Sequence, residues 1–174
     1  MNKPVTVYIA LGANLDPEDN ILRALLLLRQ EVELTKLSTF YRTEPIHGAG
    51  QPFYLNGVAE ATYPHNISVL KFQVLRPIEE QLGRDRKGPR YAARTIDLDI
   101  LLFGSAVIQE GSISVPDPDL RSRPFLAAAV LELAPDLVLP DTKERLRDVM
   151  DADSAGRLTP AVEFSRRAKE TLHP

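Results

Sequence analysis

Two aspartates one residue apart stand in the most strand-like stretch of the chain, Thr95 to Phe103 (TIDLDILLF). Side chains alternate along a strand, so Asp97 and Asp99 share a face, their Cα atoms roughly 6.5–7 Å apart, while Ile96, Leu98 and Ile100 turn away. Neighbouring carboxylates repel each other, and apolar flanks worsen the repulsion. A hard divalent cation would hold both ionised, and an all-oxygen pair suits Mg²⁺. The pair also fits solvent-facing acids on a half-exposed strand. Just upstream, residues 84–94 (RDRKGPRYAAR) carry Arg84, Arg86, Lys87, Arg90 and Arg94 against one acid, Asp85. That window is +4 in a chain of net charge −3, so the remainder is −7. Taken alone it could be a solvated loop. Beside the acid pair, it supplies guanidiniums that grip phosphate oxygens two at a time, which points to phosphoryl chemistry.

A second constellation lies in the first half. Tyr54 and Asn56 alternate onto one face, setting a ring beside an amide, next to the strand end at Thr43 to Ile46. A ring stacks on a heterocycle and an amide reads its edge; equally, Tyr54 could be half-buried core and Asn56 a turn residue. Arg121, Arg123 and Phe125 add two cations and an aromatic at a helix start, which also reads as an ordinary helix entry. The three histidines are scattered without ligand spacing, and no cysteine exists, so disulfides, thiolate chemistry and sulfur-bound metals are excluded. No Walker A motif, kinase loop set or nucleophile elbow is present.

The elements that must position these residues follow from periodicity. Val5 to Leu11 reads as a strand ending at Gly12. Asp16-Pro17 opens a helix over 17–33, with Asp16 as side-chain cap and Ile21, Leu25, Leu28 and Val32 on its buried face. Residues 34–43 and 54–63 read as antiparallel strands around a loop at 44–52. Asn66 caps a helix over 67–82, with Val69, Phe72, Leu75 and Leu82 inward and Pro77 as a kink or break. The strand at 95–103 follows the basic loop. Short strands near Val107 and over 113–115, a helix over 124–133 and another across 143–150 complete the body. The order β-α-β-β-α-β predicts an α+β, ferredoxin-like antiparallel sheet with helices packed on it. From Asp151 the composition turns polar, so 1–150 reads as one domain and 151–174 as its C-terminal appendage, with a short helix starting at Thr159-Pro160. No apolar run approaches the ~20 residues of a membrane span, and a cytoplasmic protein is expected. A ferredoxin-like sheet with a basic loop could instead bind RNA. The acidic balance and low aromatic content (6%) argue against a nucleic-acid partner.

Several runs together resemble 6-hydroxymethyl-7,8-dihydropterin pyrophosphokinase, a family of folate biosynthesis. They are Leu11-Gly12-Ala13-Asn14-Leu15, Phe40-Tyr41-Arg42-Thr43, Gln51-Pro52-Phe53-Tyr54-Leu55-Asn56, Gly83-Arg84, the run from Arg94 to Gly104 (RTIDLDILLFG), Val115-Pro116 and Arg123-Pro124-Phe125. The likeness spans about Val5 to Met150. It implies transfer of pyrophosphate from ATP to a pterin hydroxymethyl group, with release of AMP. It also implies two Mg²⁺ ions on Asp97 and Asp99, and Arg84 and Arg94 as the arginines that neutralise the phosphates. Glu79, Arg86 and Arg123 match the nucleotide side. The pterin is expected between Tyr54 and Phe125, with Asn56 and the Thr43 to Ile46 backbone at its edge. The loops at 44–52 and 84–93 match closing loops, and a monomer is implied. Asp117 stands where many members carry a histidine, Tyr91 where a tryptophan is common, and Ser112 where some are basic.

Overall fold

β-Branched and aromatic residues make β1 (Val5–Ala13) an inner strand of a six-stranded sheet. The structure, a computed structural model, describes residues 3–45, 50–85, 87, 92–150 and 158–172. Gly12 does not end β1, as the sequence suggests, but pairs with Asn56 on one side and Asp97 on the other. A Cβ there would lie 2.6 Å from Asn56 Oδ1, so close approach, and not a turn, requires the glycine.

Helix α1 (Pro17–Glu31) starts on a proline with Glu18 and Asp19 in its first turn, and buries Ile21, Leu25 and Leu28. The expected side-chain cap is not made. Asp16 is left-handed (φ 39°), and its carbonyl takes the Asn20 N–H. The strand expected over 34–43 is two strands, β2 (Glu33–Leu37) and β3 (Tyr41–Thr43), both antiparallel to β4 (Tyr54–Tyr63). The interruption follows Ser38, which donates its N–H to Val58 O and accepts the Val58 N–H on its hydroxyl, both at 2.9 Å. Phe40 then lays its buried ring across Gly57, where a Cβ would meet it at 2.5 Å.

Asn66 caps the next rod as expected, accepting the Val69 N–H at 2.9 Å. The rod is α2 (Ile67–Val69), a π-helical stretch (Leu70–Leu75) and α3 (Arg76–Gln81). Pro77 is accommodated in the first turn of α3, after Arg76 has passed its N–H back five residues to Lys71 O. One expectation is overturned: Phe72 lies outside, 41% exposed, under the Arg76 guanidinium at 4.4 Å, because the buried stripe runs through Ile67, Leu70, Val74 and Ile78. Leu75 and Leu82 face inward as expected, joined by Leu70, Val74 and Ile78.

β5 (Asp97–Phe103) pairs with β1, and the hairpin β6 (Ile108–Glu110) and β7 (Ile113–Val115) follows. Then come α4 (Asp119–Ser122), α5 (Pro124–Leu133) and the single turn α6 (Leu146–Val149), shorter than the helix expected over 143–150. The core order β5-β1-β4-β2/β3, all antiparallel, is the ferredoxin-like arrangement. Helices α1 and α2–α3 cover one face, and α5 part of the other. Residues 159–160 form β8 (Thr159–Pro160) on the outer side of β3, not a helix start. Helix α7 (Val162–Glu170) follows, with Phe164 and Ala168 buried in the main core.

Candidate active site

The sheet face under α5 is divided. Tyr8, Val58, Leu101 and Leu102 pack against the apolar helix, while the far half carries the polar residues. There Asp97, Gly12, Asn56 and Tyr41 stand in register across β5, β1, β4 and β3, and so share one face. Gly12, with no side chain, is the floor between the acid and the amide, which are two strand spacings or about 10 Å apart. The two constellations, 41 residues apart in sequence from Asn56 to Asp97, thus meet on one shelf.

On the β5 side, Arg84 and Arg94 both donate to the Asp97 carboxylate, one to each oxygen. Arg84 also donates to Glu79, which accepts the Leu98 N–H at 2.8 Å. Glu79 is 0% exposed. It therefore holds Arg84 and the edge strand from beneath and does not open toward a ligand. Burial works against the charge of Arg84, but Asp97, Glu79 and Asp99 outweigh it and raise the pKa above the ordinary guanidinium value. Asp99 opens onto a cleft of ≈ 130 Å³ lined also by Lys71, Ser112, Ser114 and Asp117. Although its side chain reaches solvent there, the surrounding protein displaces enough water to push its carboxyl up to about 7, and Asp97, Glu79 and Asp117 push the same way. Asp117 is raised chiefly by burial, against the N–H of Asp119 that it accepts.

On the β4 side, Asn56 donates to Thr43 Oγ1 at 2.7 Å. Tyr54 is half-buried, and burial raises its pKa. Arg94, Asp97, Arg84 and Arg123 all act on its hydroxyl, so the ring stands within the field of the acid–arginine cluster. Arg123, paired with Asp119 at 3.0 Å, opens α5, and Phe125 is half-buried in its first turn. Ile46 and Arg86 lie outside the described residues, as do Tyr91 and parts of both expected closing loops.

Two residues emerge only from the structure. Asn14, buried at the end of β1, accepts the Arg94 N–H at 2.7 Å and donates to Pro52 O and Gln51 Oε1, both at 3.4 Å. It fastens the stretches leading into β4 and β5 to the same strand end. The signal available was an amide directly after a strand, where asparagine commonly serves turns. Lys71, a cation near the start of the rod that Asn66 caps, carries no signal of a role in the sequence. It lies in the π-helical stretch and lines the cleft, where it donates to Ser112 O.

The family model for 7,8-dihydro-6-hydroxymethylpterin-pyrophosphokinase (HPPK) matches residues 8–135. The chain belongs to this family. It is similar to the 2-amino-4-hydroxy-6-hydroxymethyldihydropteridine pyrophosphokinases of Haemophilus influenzae, 38% identical over 80% of this chain and 88% of that protein, and of Pseudomonas aeruginosa, 39% identical over 78% and 84%. Among solved structures it resembles Plasmodium falciparum HPPK-DHPS with pteroate, at TM-score 0.65 and 14% identity, over 86% of this chain and 42% of that one. That likeness concerns the fold. The family is one of pyrophosphokinases, and the arginine–carboxylate cluster lies within the matched stretch.

Among the described residues no group of three or more His, Asp or Glu forms a metal cage, and no helix is long and apolar enough to cross a membrane. Two carboxylates without a protein cage match the habits of Mg²⁺, which takes one or two carboxylates and completes its shell with water and substrate phosphates. The donor set therefore fits a cation that arrives with a polyphosphate.

Proposed function

We propose that the protein transfers pyrophosphate from ATP to the hydroxymethyl group of 6-hydroxymethyl-7,8-dihydropterin, giving the pterin diphosphate and AMP in folate biosynthesis. The observation that carries this reading is the row Asp97–Gly12–Asn56, which sets a phosphate-handling cluster and a heterocycle-reading amide on one shelf. The pterin stacks on Tyr54 and Phe125, with Asn56 and the Thr43 to Ile46 backbone at its edge. The triphosphate lies over Arg84 and Arg94, with Arg86 and Arg123 in support. The hydroxyl oxygen attacks the β-phosphorus and its proton is released to solvent. The bond from that phosphorus to the α–β bridging oxygen breaks, and AMP leaves with the oxygen. Two Mg²⁺ ions on Asp97 and Asp99 would neutralise charge on the phosphate oxygens.

The chain's own groups do the positioning. Arg84 and Arg94 rest on Asp97 and can turn from it to a phosphate without leaving a buried charge unpaired, because Glu79 stays beneath Arg84. Glu79 thus acts through Arg84. A cytoplasmic monomer is the working form we propose. The test is incubation with ATP, Mg²⁺ and the hydroxymethyl dihydropterin, read by the nucleotide released. AMP with pterin diphosphate is expected; ADP, or no pterin-dependent turnover, refutes the reading. Asp97→Ala and Asp99→Ala should each abolish turnover while pterin binding largely survives.

A further inference from the structure

The polar tail looks dispensable by composition, and residues 158–172 lie beyond the stretch matched by the family model, which ends at 135. Their contacts nonetheless converge on one residue. Phe40 donates its N–H to Ser165 Oγ at 2.8 Å, accepts the Ala161 N–H on its carbonyl at 2.7 Å, and meets Phe164 edge to face at 5.1 Å. The Ser165 hydroxyl is buried and bonded in both directions, since it also donates to Ala161 O at 2.8 Å. Phe40 leads directly into β3, a strand of three residues that is held between β4 and β8. The far end of the tail is tied down as well, by Arg29 at Thr171 O, by Arg167 to Glu18 at 2.8 Å and by Lys169 to Glu132 at 3.0 Å.

A three-residue strand has little of its own to fix it. What β3 carries is Thr43, whose hydroxyl accepts from Asn56 at 2.7 Å, while Asn56 Oδ1 lies over Gly12. The orientation of the reading amide therefore depends on where β3 sits, and the outer side of β3 is occupied by the tail. We propose that residues 158–172 are a strap that sets the reading edge of the pterin pocket, with Phe164 and Ser165 as positioning residues acting through Phe40 and β3 on Thr43 and Asn56. This rests on the pterin-side reading of Asn56 given above.

The test is steady-state kinetics on the full chain carrying Ser165→Ala or Phe164→Leu. Each should raise the KM for the pterin about fivefold, the worth of one neutral hydrogen bond, and leave the KM for ATP and kcat unchanged. Ser165→Ala added to Thr43→Ala should give no further rise, because both act through the same amide. A fall in Tm with both KM values unchanged, or a rise shared by both substrates, overturns the proposal. Should Phe164→Leu not fold, Ser165→Ala decides alone, since it removes one oxygen from an otherwise intact core. Asn56→Ala separates the two levels. An unchanged pterin KM there sinks the pterin-side reading, whereas a raised one beside an unaffected Ser165→Ala sinks only the strap.

Discussion

Gly12 and Gly57 lie in strands paired with each other, on opposite sides of the sheet, and an added methyl group should do opposite things at the two. At Gly12 the new Cβ would stand 2.6 Å from Asn56 Oδ1 and 3.7 Å from its Cγ. Restoring ordinary contact at 3.4 Å moves that oxygen by about 0.8 Å. A side-chain amide can make this move by rotating, but it then loses its 2.7 Å bond to Thr43. That loss costs about 1 kcal/mol, or about 2–4 °C of Tm in a chain of this size. The pterin loses more, because a rotated amide offers neither its donor nor its acceptor. Two hydrogen bonds at about 1 kcal/mol each raise the pterin KM about thirtyfold. At Gly57 the methyl would meet three ring atoms of buried Phe40 at 2.5–2.8 Å, and a ring packed against Phe164 cannot rotate away. Overpacking of this kind costs about 3 kcal/mol, a fall of about 6–12 °C. Thermal melts and pterin titrations of Gly12→Ala and Gly57→Ala check the contrast. Wild-type pterin binding by Gly12→Ala, or a Tm loss as large as that of Gly57→Ala, refutes the reasoning.

Glu79→Gln breaks a buried pair and should cost about 3 kcal/mol by denaturant melts; with Arg84 loosened, the KM for ATP should rise while that for the pterin holds. Tyr8 donates to buried Glu60 at 3.1 Å; burial first, then the Glu60 charge, raises its pKa above the ordinary phenol value. A raised pKa contributes stability that is complete below about pH 10 and is lost as pH climbs through the folded-state value. Tyr8→Phe should therefore flatten the alkaline decline in Tm; an unchanged slope would count against it. Calorimetry should detect a non-hydrolysable ATP analogue binding with Mg²⁺ and not with chelator, whereas pterin binding should survive the chelator.

What the sequence made legible was what depends on short-range pattern. Period-two alternation put Asp97 and Asp99 on one face, and as a strand their stretch ends at Phe103 as expected. The i, i+4, i+7 stripe found the buried face of α1, and Asn66 announced its own cap. What stayed hidden was set by packing between distant segments. Nothing within residues 34–43 shows that Phe40 must cross Gly57, and two apolar stripes compete on the rod after Asn66, of which packing chose Ile67, Leu70, Val74 and Ile78 over the one through Phe72. Glu79 was found as a family acid, but its burial beneath Arg84 and Leu98 is a property of the folded edge. The tail misleads for a related reason. Its helix buries a narrow stripe, Phe164, Ser165 and Ala168, amid charged residues, so its average composition reads as surface.

Electrostatics explains why the two halves of the shelf differ. Around the acid pair stand four carboxylates, Glu79, Asp97, Asp99 and Asp117, against three cations, Arg84, Arg94 and Lys71, while Arg123 is matched by Asp119. With all four ionised this half carries one excess negative charge, and less at neutral pH because the Asp99 carboxyl is pushed up to about 7. It therefore offers an unaccompanied triphosphate no net positive charge despite the arginines nearby. Two divalent cations on the aspartates would reverse the sign and leave the half positive by about three charges. Of the five cations in the +4 window, Arg84 and Arg94 at its two ends are held by Asp97, and in the proposed reaction metal on the aspartates would free them for the phosphates. The β4 half needs no such relief. Asn56, Thr43 and Tyr54 are neutral, and in the proposed pterin site recognition would depend on where a hydroxyl and a short strand hold an amide. On the proposed reading, charge gates the nucleotide side, and the geometry that the proposed strap would help fix gates the other.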